Sequence, residues 1–323
     1  MLGSHGGGTE EGQREVLAGY GITEERLGVP VVTTVDTVYL GNCANGRPVW
    51  FDRAAYEADL IVPINRVKLH TDFVGPIQSG LCKMLVIGLG NHKGCSAVHE
   101  EAPEVFADAI EETARLILQK APVGFGIAIL ENAYDKTYAV EAVPAEHLVE
   151  REKELVQIAK GNMPYIMLDE ADVIVCGAIG KDISGAGFDP NILGRSSVLK
   201  QFVLHIPRYQ RLVLCDVTPA SHGNGIGVGL FDVITKKVAE QLDLESMYAN
   251  AIACNCLGDA SVPCTVDDEE TAIRVALKCC RNIDRDHPRI IRIQNTLHLG
   301  EIEVSEALLD AVRADSRMSL IEN

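Results

Sequence analysis

The chain has 323 residues, of which 47% are hydrophobic and 23% are charged, and its 29 lysines and arginines are outnumbered by 46 aspartates and glutamates. This length allows two domains, and no apolar run approaches the ~20 residues that a membrane helix needs, so we expect a globular protein that does not span a membrane. The net charge of −17 disfavours nucleic acid as a partner, because phosphate binding depends on clustered cations.

The cysteines and the N-terminus indicate the compartment. Ten cysteines at irregular spacing in a chain of this length favour reduced thiols over a disulfide framework. The N-terminus has no basic segment followed by an apolar stretch, so no secretory signal is predicted. We therefore expect a cytoplasmic protein.

The first elements alternate short helices with buried strands. Thr9, followed by two glutamates, predicts the start of a helix that ends near Gly19. The β-branched or apolar runs Val31–Thr34 and Asp59–Pro63 predict buried strands, and Asp52–Glu57 predicts a helical turn between them.

Two longer helices follow. Pro103 is typical of a helix start, and the apolar residues after it repeat at helical spacing. A strand at Val123–Leu130 and an amphipathic helix at Pro144–Lys160 come next. Gly161 and Pro164 then predict a break in the chain.

The second half repeats this alternation. Strands are predicted at Ala171–Cys176, Arg211–Val217 and Arg289–Ile293, and helices at Phe231–Leu242 and Glu269–Cys280. Such alternation is typical of parallel sheets covered by helices. We therefore predict two α/β domains with mainly parallel sheets, residues 1–165 and 166–323, with a cofactor and substrate cleft between them. About the last 25 residues are expected to pack back on the first domain.

Three residues between Val67 and His99 are candidates for chemistry. His70 follows a predicted strand, which is where open α/β sheets bind ligands, and an imidazole serves either as a proton shuttle or as a metal ligand. Lys83 lies in the apolar run GLCKMLVIGLG, where an amine is costly unless it is paired, neutral or used covalently. His99 closes the stretch. Their spacing matches no short zinc motif, and structural histidines with a snorkelling lysine remain the alternative.

Four further residues are weaker candidates. His5 lies in the glycine-rich segment GSHGGG. His92, in GNHKG, suits either a cofactor-side contact or a turn. Lys181 and Asp182 lie in a glycine-rich loop after a predicted strand, where they are expected to reach a cofactor phosphate or a substrate carboxylate, unless the loop is a plain solvated turn.

The ordered motifs GSHGGGTEEGQREVLAGYGIT, KLHTDFVG and GLCKMLVIGLGNHKG, followed by His99, resemble the nickel-dependent lactate racemase family and its homologues that act on other 2-hydroxy acids. The blocks GKDISGAGFDPNILGR, SHGNGIGVGLFD and NTLHLGEIEVSEALL extend the resemblance into the second half. Family members normally carry an additional Asp-x-Thr-Arg-Pro-like segment before the first histidine. We expect the first domain to lack this segment.

The resemblance implies a cofactor and a reaction. Lys83 would carry a covalently attached nickel pincer nucleotide, His99 would ligate the nickel, and His92, Lys181 and Asp182 would contact the cofactor. His5 and His70 would be the acid/base pair on opposite faces of the substrate. The expected activity is racemisation or epimerisation of a small anionic 2-hydroxy acid by reversible hydride transfer. The implied protein partners are the cofactor-assembly enzymes, and the oligomeric state is not indicated.

Two alternatives remain open at the level of sequence. Cys254, Cys256 and Cys264, with Cys279 and Cys280 as further candidates, could hold a metal or an iron–sulfur cluster, although they lack a repeated CxxC pattern. A catalytically silent cofactor-binding homologue is the other alternative.

Overall fold

The structure is a computed structural model that describes residues 6–321 and divides into two compact units. The first unit contains the described residues up to Asn132 together with Lys136–Asn162, and the second contains Ala133–Asp135 and the chain from Met163 onward. Both units combine helices with sheets, which confirms the predicted α/β class. The predicted roles of the two domains and the cleft between them stay predictions.

The first unit contains five strands and seven α-helices. Its strands are β1 (Thr37–Asn42), β2 (Pro48–Asp52), β3 (Ile64–Arg66), β4 (Phe125–Glu131) and β5 (Thr137–Pro144). Its helices are α1 (Glu10–Gly19), α2 (Glu24–Leu27), α3 (Arg53–Tyr56), α4 (Leu81–Lys83), α5 (Asn91–His99), α6 (Phe106–Lys120) and α7 (Leu148–Asn162). A π-helical turn, Met84–Gly88, continues α4. Across residues 6–321, no helix has both the length and the apolar character that a bilayer crossing requires.

The sheets of the first unit are mixed, which corrects the expectation of mainly parallel strands there. β1 and β2 form an antiparallel hairpin, and β3 lies parallel to β4. β5 is antiparallel to β4, because the short turn between Asn132 and Lys136 leaves no room for a crossover connection.

Two predicted strands of the first unit are wrong in position. Val31–Thr34 forms no strand, although Val31 and Thr33 are buried. In the Asp59–Pro63 run only Ile61 makes a β-bridge, to Val123. The strand itself begins at Ile64, one residue after the predicted run ends. Pro63 has no N–H for a sheet and marks the boundary.

The core of the first unit lies between the β3–β4–β5 sheet and the long helices. The buried faces of α6 and α7 include Ile110, Ile117 and Leu155. A Cβ at Gly126 on β4 would lie 2.6 Å from Leu81 Cδ1, so a glycine there lets the start of α4 approach the sheet closely.

The second unit contains a six-stranded sheet in the order β11–β10–β6–β7–β8–β9. Its strands are β6 (Val173–Cys176), β7 (Arg211–Leu214), β8 (Val233–Thr235), β9 (Cys264–Val266), β10 (Ile290–Ile293) and β11 (Glu303–Val304). Its helices are α8 (Pro190–Leu193), α9 (Lys236–Gln241), α10 (Leu244–Ala253), α11 (Glu269–Lys278) and α12 (Leu309–Ala314). All neighbouring strands are parallel except the edge pair β10–β11.

Alternate residues of β6 enter two different cores. Val173 and Val175 pack in a cluster with Ala272 and Ala276 of α11, whereas Ile174 and Cys176 belong to the larger cluster on the opposite face. Burial on both faces explains why this strand is apolar throughout.

Two further segments of the second unit bear on the predictions. The helix predicted at Phe231–Leu242 is wrong in its first part, because the β-branched run of β8 pairs with β7 and Thr235 caps α9. Leu308 and Val312, near the C-terminus, lie in the larger core cluster of the second unit. The expected packing of about the last 25 residues on the first domain stays a prediction.

A buried carboxylate fixes the junction before α5. Asp52 has no solvent exposure, caps α3 by accepting the Ala55 N–H at 2.8 Å, and accepts the side-chain N–H of Asn91 at 2.8 Å. Asn91 has φ of +50°, a left-handed conformation that is uncommon outside glycine. The Asp52 contact therefore holds a strained residue at the first position of α5.

We predict that Asp52→Ala lowers the free energy of unfolding by about 2–4 kcal/mol, because it removes a helix cap and leaves the Asn91 amide buried without this acceptor. Urea denaturation measures this change. The exposed Asp36 is the control, and Asp36→Ala should stay within about 0.5 kcal/mol of the wild type. Equal stabilities of the two variants would contradict the role of Asp52.

Candidate functional site

The first unit brings His70 and Lys83 into contact and places His99 near them. His70 follows β3, Lys83 ends α4, and His99 ends α5. Both Lys83 and His99 lie close enough to the His70 ring to oppose its protonation and so lower its pKa. His5, the other histidine predicted to be catalytic, lies outside the described residues.

The position of His70 depends on a folded-back loop. After β3, Lys68 and Ser79 pair through backbone hydrogen bonds of 2.9 and 3.1 Å. The His70 N–H donates to Gln78 Oε1 at 2.7 Å, and the Gln78 amide donates to the Gly75 carbonyl at 3.1 Å. These bonds bring the chain that precedes α4 alongside the chain that carries His70.

The central contact of the site joins His70 Nε2 and Lys83 Nζ at 2.5 Å. His70 Nδ1 accepts the backbone N–H of Asp72 at 3.1 Å, so Nδ1 carries no proton. The proton of a neutral imidazole then lies on Nε2 and points at Lys83. Lys83 Nζ must accept this hydrogen bond, which requires a neutral amine with an available lone pair.

The surroundings of His70 keep its ring neutral. Burial lowers the pKa of His70 well below its usual value, and the neighbouring bases Lys83, Lys68 and His99 lower it further, because a protonated ring would lie beside groups that compete with it for protons. The side chain is 13% exposed and stacks on Phe73 with ring centroids 4.2 Å apart. A neutral imidazole agrees with the hydrogen-bond pattern.

His99 is oriented by its own helix. Its Nδ1–H donates to the Cys95 carbonyl one turn earlier at 2.7 Å, which leaves the Nε2 lone pair for another partner. The hydrogen bond with the Cys95 side chain raises the pKa of His99. Phe106 packs against both His99 and Phe73, with its ring centroid 5.1 Å from that of His99 and 4.9 Å from that of Phe73. The two phenylalanines thus form an aromatic link between the two histidines.

The other predicted residues lie elsewhere. His92 is exposed on the first turn of α5, and a Cβ on Gly8 would lie 3.9 Å from its Cβ. In the second unit, Lys181 Nζ donates to the Gly185 carbonyl at 2.6 Å and to the Asn250 side chain.

Asp182 neighbours Lys181 in the same loop and accepts the Thr218 hydroxyl. Both side chains therefore stabilise loops that follow the parallel strands of the second unit. The cofactor contacts predicted for His92, Lys181 and Asp182 stay predictions.

Sequence reasoning missed several residues that shape the site. Phe73 and Asp72 lie inside the quoted motif KLHTDFVG, but no spacing rule distinguishes a ring that stacks on a histidine from an ordinary core residue. Gln78 gave no signal, because its role depends on the folding back of the loop. Phe106 is one of the apolar residues that repeat at helical spacing after Pro103, and nothing in that pattern distinguished it from a core residue.

The cysteine alternative gains no support from the geometry. Among residues 6–321, no group of three or more His, Cys, Asp or Glu side chains is arranged to hold a metal ion. Cys254 and Cys264 are exposed, whereas Cys256 is buried, and none of the ten cysteines, all within the described range, forms a disulfide.

No protein-family model and no curated protein matches the sequence. Among solved structures, the lactate racemase apoprotein from Thermoanaerobacterium thermosaccharolyticum is a distant neighbour, with a TM-score of 0.43 and 14% identity over 79% of this chain and 73% of that one. A structural-genomics protein from Thermotoga maritima has a TM-score of 0.39 and 13% identity over 59% of this chain. The match covers 53% of the Thermotoga protein, so the chain spans about half of its length. Neither likeness is close enough to carry an argument about function.

We predict that His70 makes folding stability depend on pH. Because its pKa is lowered in the folded state, the unfolded chain takes up a proton below about pH 6.5 while the folded chain does not. Stability should therefore fall as the pH drops below 6.5. Urea denaturation between pH 7 and pH 5 should show a smaller loss for His70→Asn, and an identical loss would contradict a neutral His70.

We also predict that Lys83 reacts as a neutral amine. In trace acylation at pH 7, Lys83 should be modified faster than the exposed Lys120, as measured by peptide mass spectrometry. His70→Asp, whose carboxylate favours an ammonium, should slow Lys83 acylation by about tenfold, which corresponds to roughly one hydrogen bond. The matched variant His70→Asn keeps an N–H donor and should slow it less. Equal rates in the two variants would contradict the assigned charge state.

Proposed function

We propose that this chain is a racemase or epimerase of a small anionic 2-hydroxy acid, with a nickel pincer nucleotide attached covalently to Lys83. The observation that carries the proposal is the 2.5 Å contact between His70 Nε2 and Lys83 Nζ, which requires a neutral amine. A neutral amine has the lone pair that covalent attachment needs, and an ammonium does not.

The donor set of the site suits such a cofactor. The hydrogen bond from His99 Nδ1 to Cys95 leaves Nε2 as a ligand atom, and imidazole is among the ligands that nickel accepts. When bound, the nickel pincer nucleotide supplies the acceptor and donor of the hydride on the substrate carbon. The protein supplies position and proton transfer.

His70 is the proposed proton acceptor for the substrate hydroxyl. For this step Nε2 needs a lone pair, so the ring proton must move to Nδ1. The Asp72 carboxylate, with Oδ2 4.0 Å from Nδ1, is placed to accept the resulting Nδ1–H in exchange for the Asp72 N–H contact. We propose that Asp72 thereby selects between the two tautomers of His70.

Attachment at Lys83 would release His70. An acylated nitrogen no longer offers its lone pair, so the His70 Nε2–H loses its present acceptor, and the move of the ring proton to Nδ1 then leaves the Nε2 lone pair for the substrate hydroxyl. His5 is proposed as the second acid/base group, and His92, Lys181 and Asp182 as cofactor contacts. The cofactor-assembly enzymes are the proposed partners, and the cytoplasm is the proposed location.

The mass of the intact protein tests this proposal. We predict that the chain, produced together with cofactor-assembly enzymes, exceeds its sequence mass by one modified mononucleotide. Lys83→Ala should abolish the increment, because it removes the attachment atom.

Lys93→Ala is the matched control, because Lys93 is a nearby lysine on α5 that lies over the Trp50 ring. It should keep the increment. A protein that shows no increment, or keeps it in Lys83→Ala, would overturn the proposed attachment.

A further inference from the structure

A buried carboxylate holds the first turn of the helix that ends in Lys83. Glu152, on α7, has no solvent exposure, and its Oε2 accepts the Cys82 N–H at 2.8 Å. The backbone N–H of Leu81 also interacts with the carboxylate and lowers the pKa of Glu152. Among the described residues, its Oε1 has no hydrogen-bond partner. The carboxylate therefore hydrogen-bonds to the backbone at the start of α4.

Glu152 is a charged residue on the buried face of its helix. The buried face of α7 is otherwise apolar, with Leu148, Val149, Leu155 and Val156 around the glutamate. Burial of a carboxylate is costly, and here it raises the pKa of Glu152 to about 7. An apolar side chain would pack at this position without that cost, so the carboxylate calls for an explanation other than core packing.

The neighbouring glycine is fitted to this carboxylate. A Cβ on Gly80 would lie 2.6 Å from Glu152 Oε1 and 2.9 Å from Oε2, so any larger residue would displace the carboxylate. The Gly80 carbonyl accepts the Met84 N–H at 3.0 Å and the Asn65 side chain at 2.8 Å. The turn is thus fixed to α7 through its N–H groups and to β3 through its carbonyl.

We propose that Glu152 is a positioning residue that holds the Lys83 amine against His70. It acts through the Leu81 and Cys82 N–H groups and touches neither reacting group. The inference rests on the proposed function of Lys83 as the attachment residue. Its direct consequence, the contact of Lys83 with His70, exists without any cofactor.

Trace acylation of Lys83 in the cofactor-free protein tests the proposal, with Lys120 as the internal reference. Glu152→Leu should slow Lys83 acylation at least about tenfold, because a misplacement of 1 Å can change a rate about a hundredfold. Glu152→Gln keeps an acceptor oxygen for the Cys82 N–H and should restore most of the rate. Gly80→Ala, which pushes the carboxylate away, should reproduce the loss and replaces Glu152→Leu if that variant does not fold.

Two controls separate positioning from general stability. Glu154→Gln, at an exposed site on the same helix, should leave the rate unchanged. Val143→Ala, in the buried part of β5, should lower stability without slowing Lys83. An equal loss of rate in Val143→Ala, or an unchanged rate in both Glu152→Leu and Gly80→Ala, would overturn the proposal.

The intact mass distinguishes the two hypotheses. If the wild type gains no mononucleotide but Glu152→Leu still slows Lys83 acylation, the proposed function fails and the positioning role stands. If the wild type gains the mononucleotide and Lys83 in Glu152→Leu is acylated at the wild-type rate, the positioning role fails.

Discussion

The hydrogen bond from His70 Nε2–H to Lys83 Nζ is the contact on which the site depends. It requires the segment after β3 and the end of α4 to meet within hydrogen-bonding distance. The Lys68–Ser79 pairing aligns the segments, and Gln78 closes the loop between them. Buried carboxylates hold the surrounding turns, Glu152 before Lys83 and Asp52 before α5.

The electrostatics of the site differ from those of the whole chain. The chain has a net charge of −17, yet the groups around His70 that shift its pKa are Lys83, Lys68 and His99, all of which can be positive. The same bases disfavour protonation of His70, and a neutral ring is the form that can accept a proton.

The sequence predicted the regular elements better than the details of the site. Periodicity located α6, β4 and α11, because long buried faces leave a strong pattern. It missed the β1–β2 hairpin and mistook β8 for the start of a helix, since short strands gain their stability from partners distant in sequence. The grouping of His70, Lys83 and His99 came from ordered motifs. Gln78 and Glu152 could not be predicted, because a polar residue shows its function only once its buried partner is known.

The protonation state of the His70 ring tests the central claim most directly. Nitrogen-15 NMR of the cofactor-free protein at pH 7 should show a protonated Nε2 and an unprotonated Nδ1, as the Asp72 N–H contact requires. Replacement of Lys83 by methionine should shift the Nε2 signal, because its acceptor is lost. A ring protonated on both nitrogens, or on Nδ1 alone, would contradict a neutral Lys83 amine held by His70.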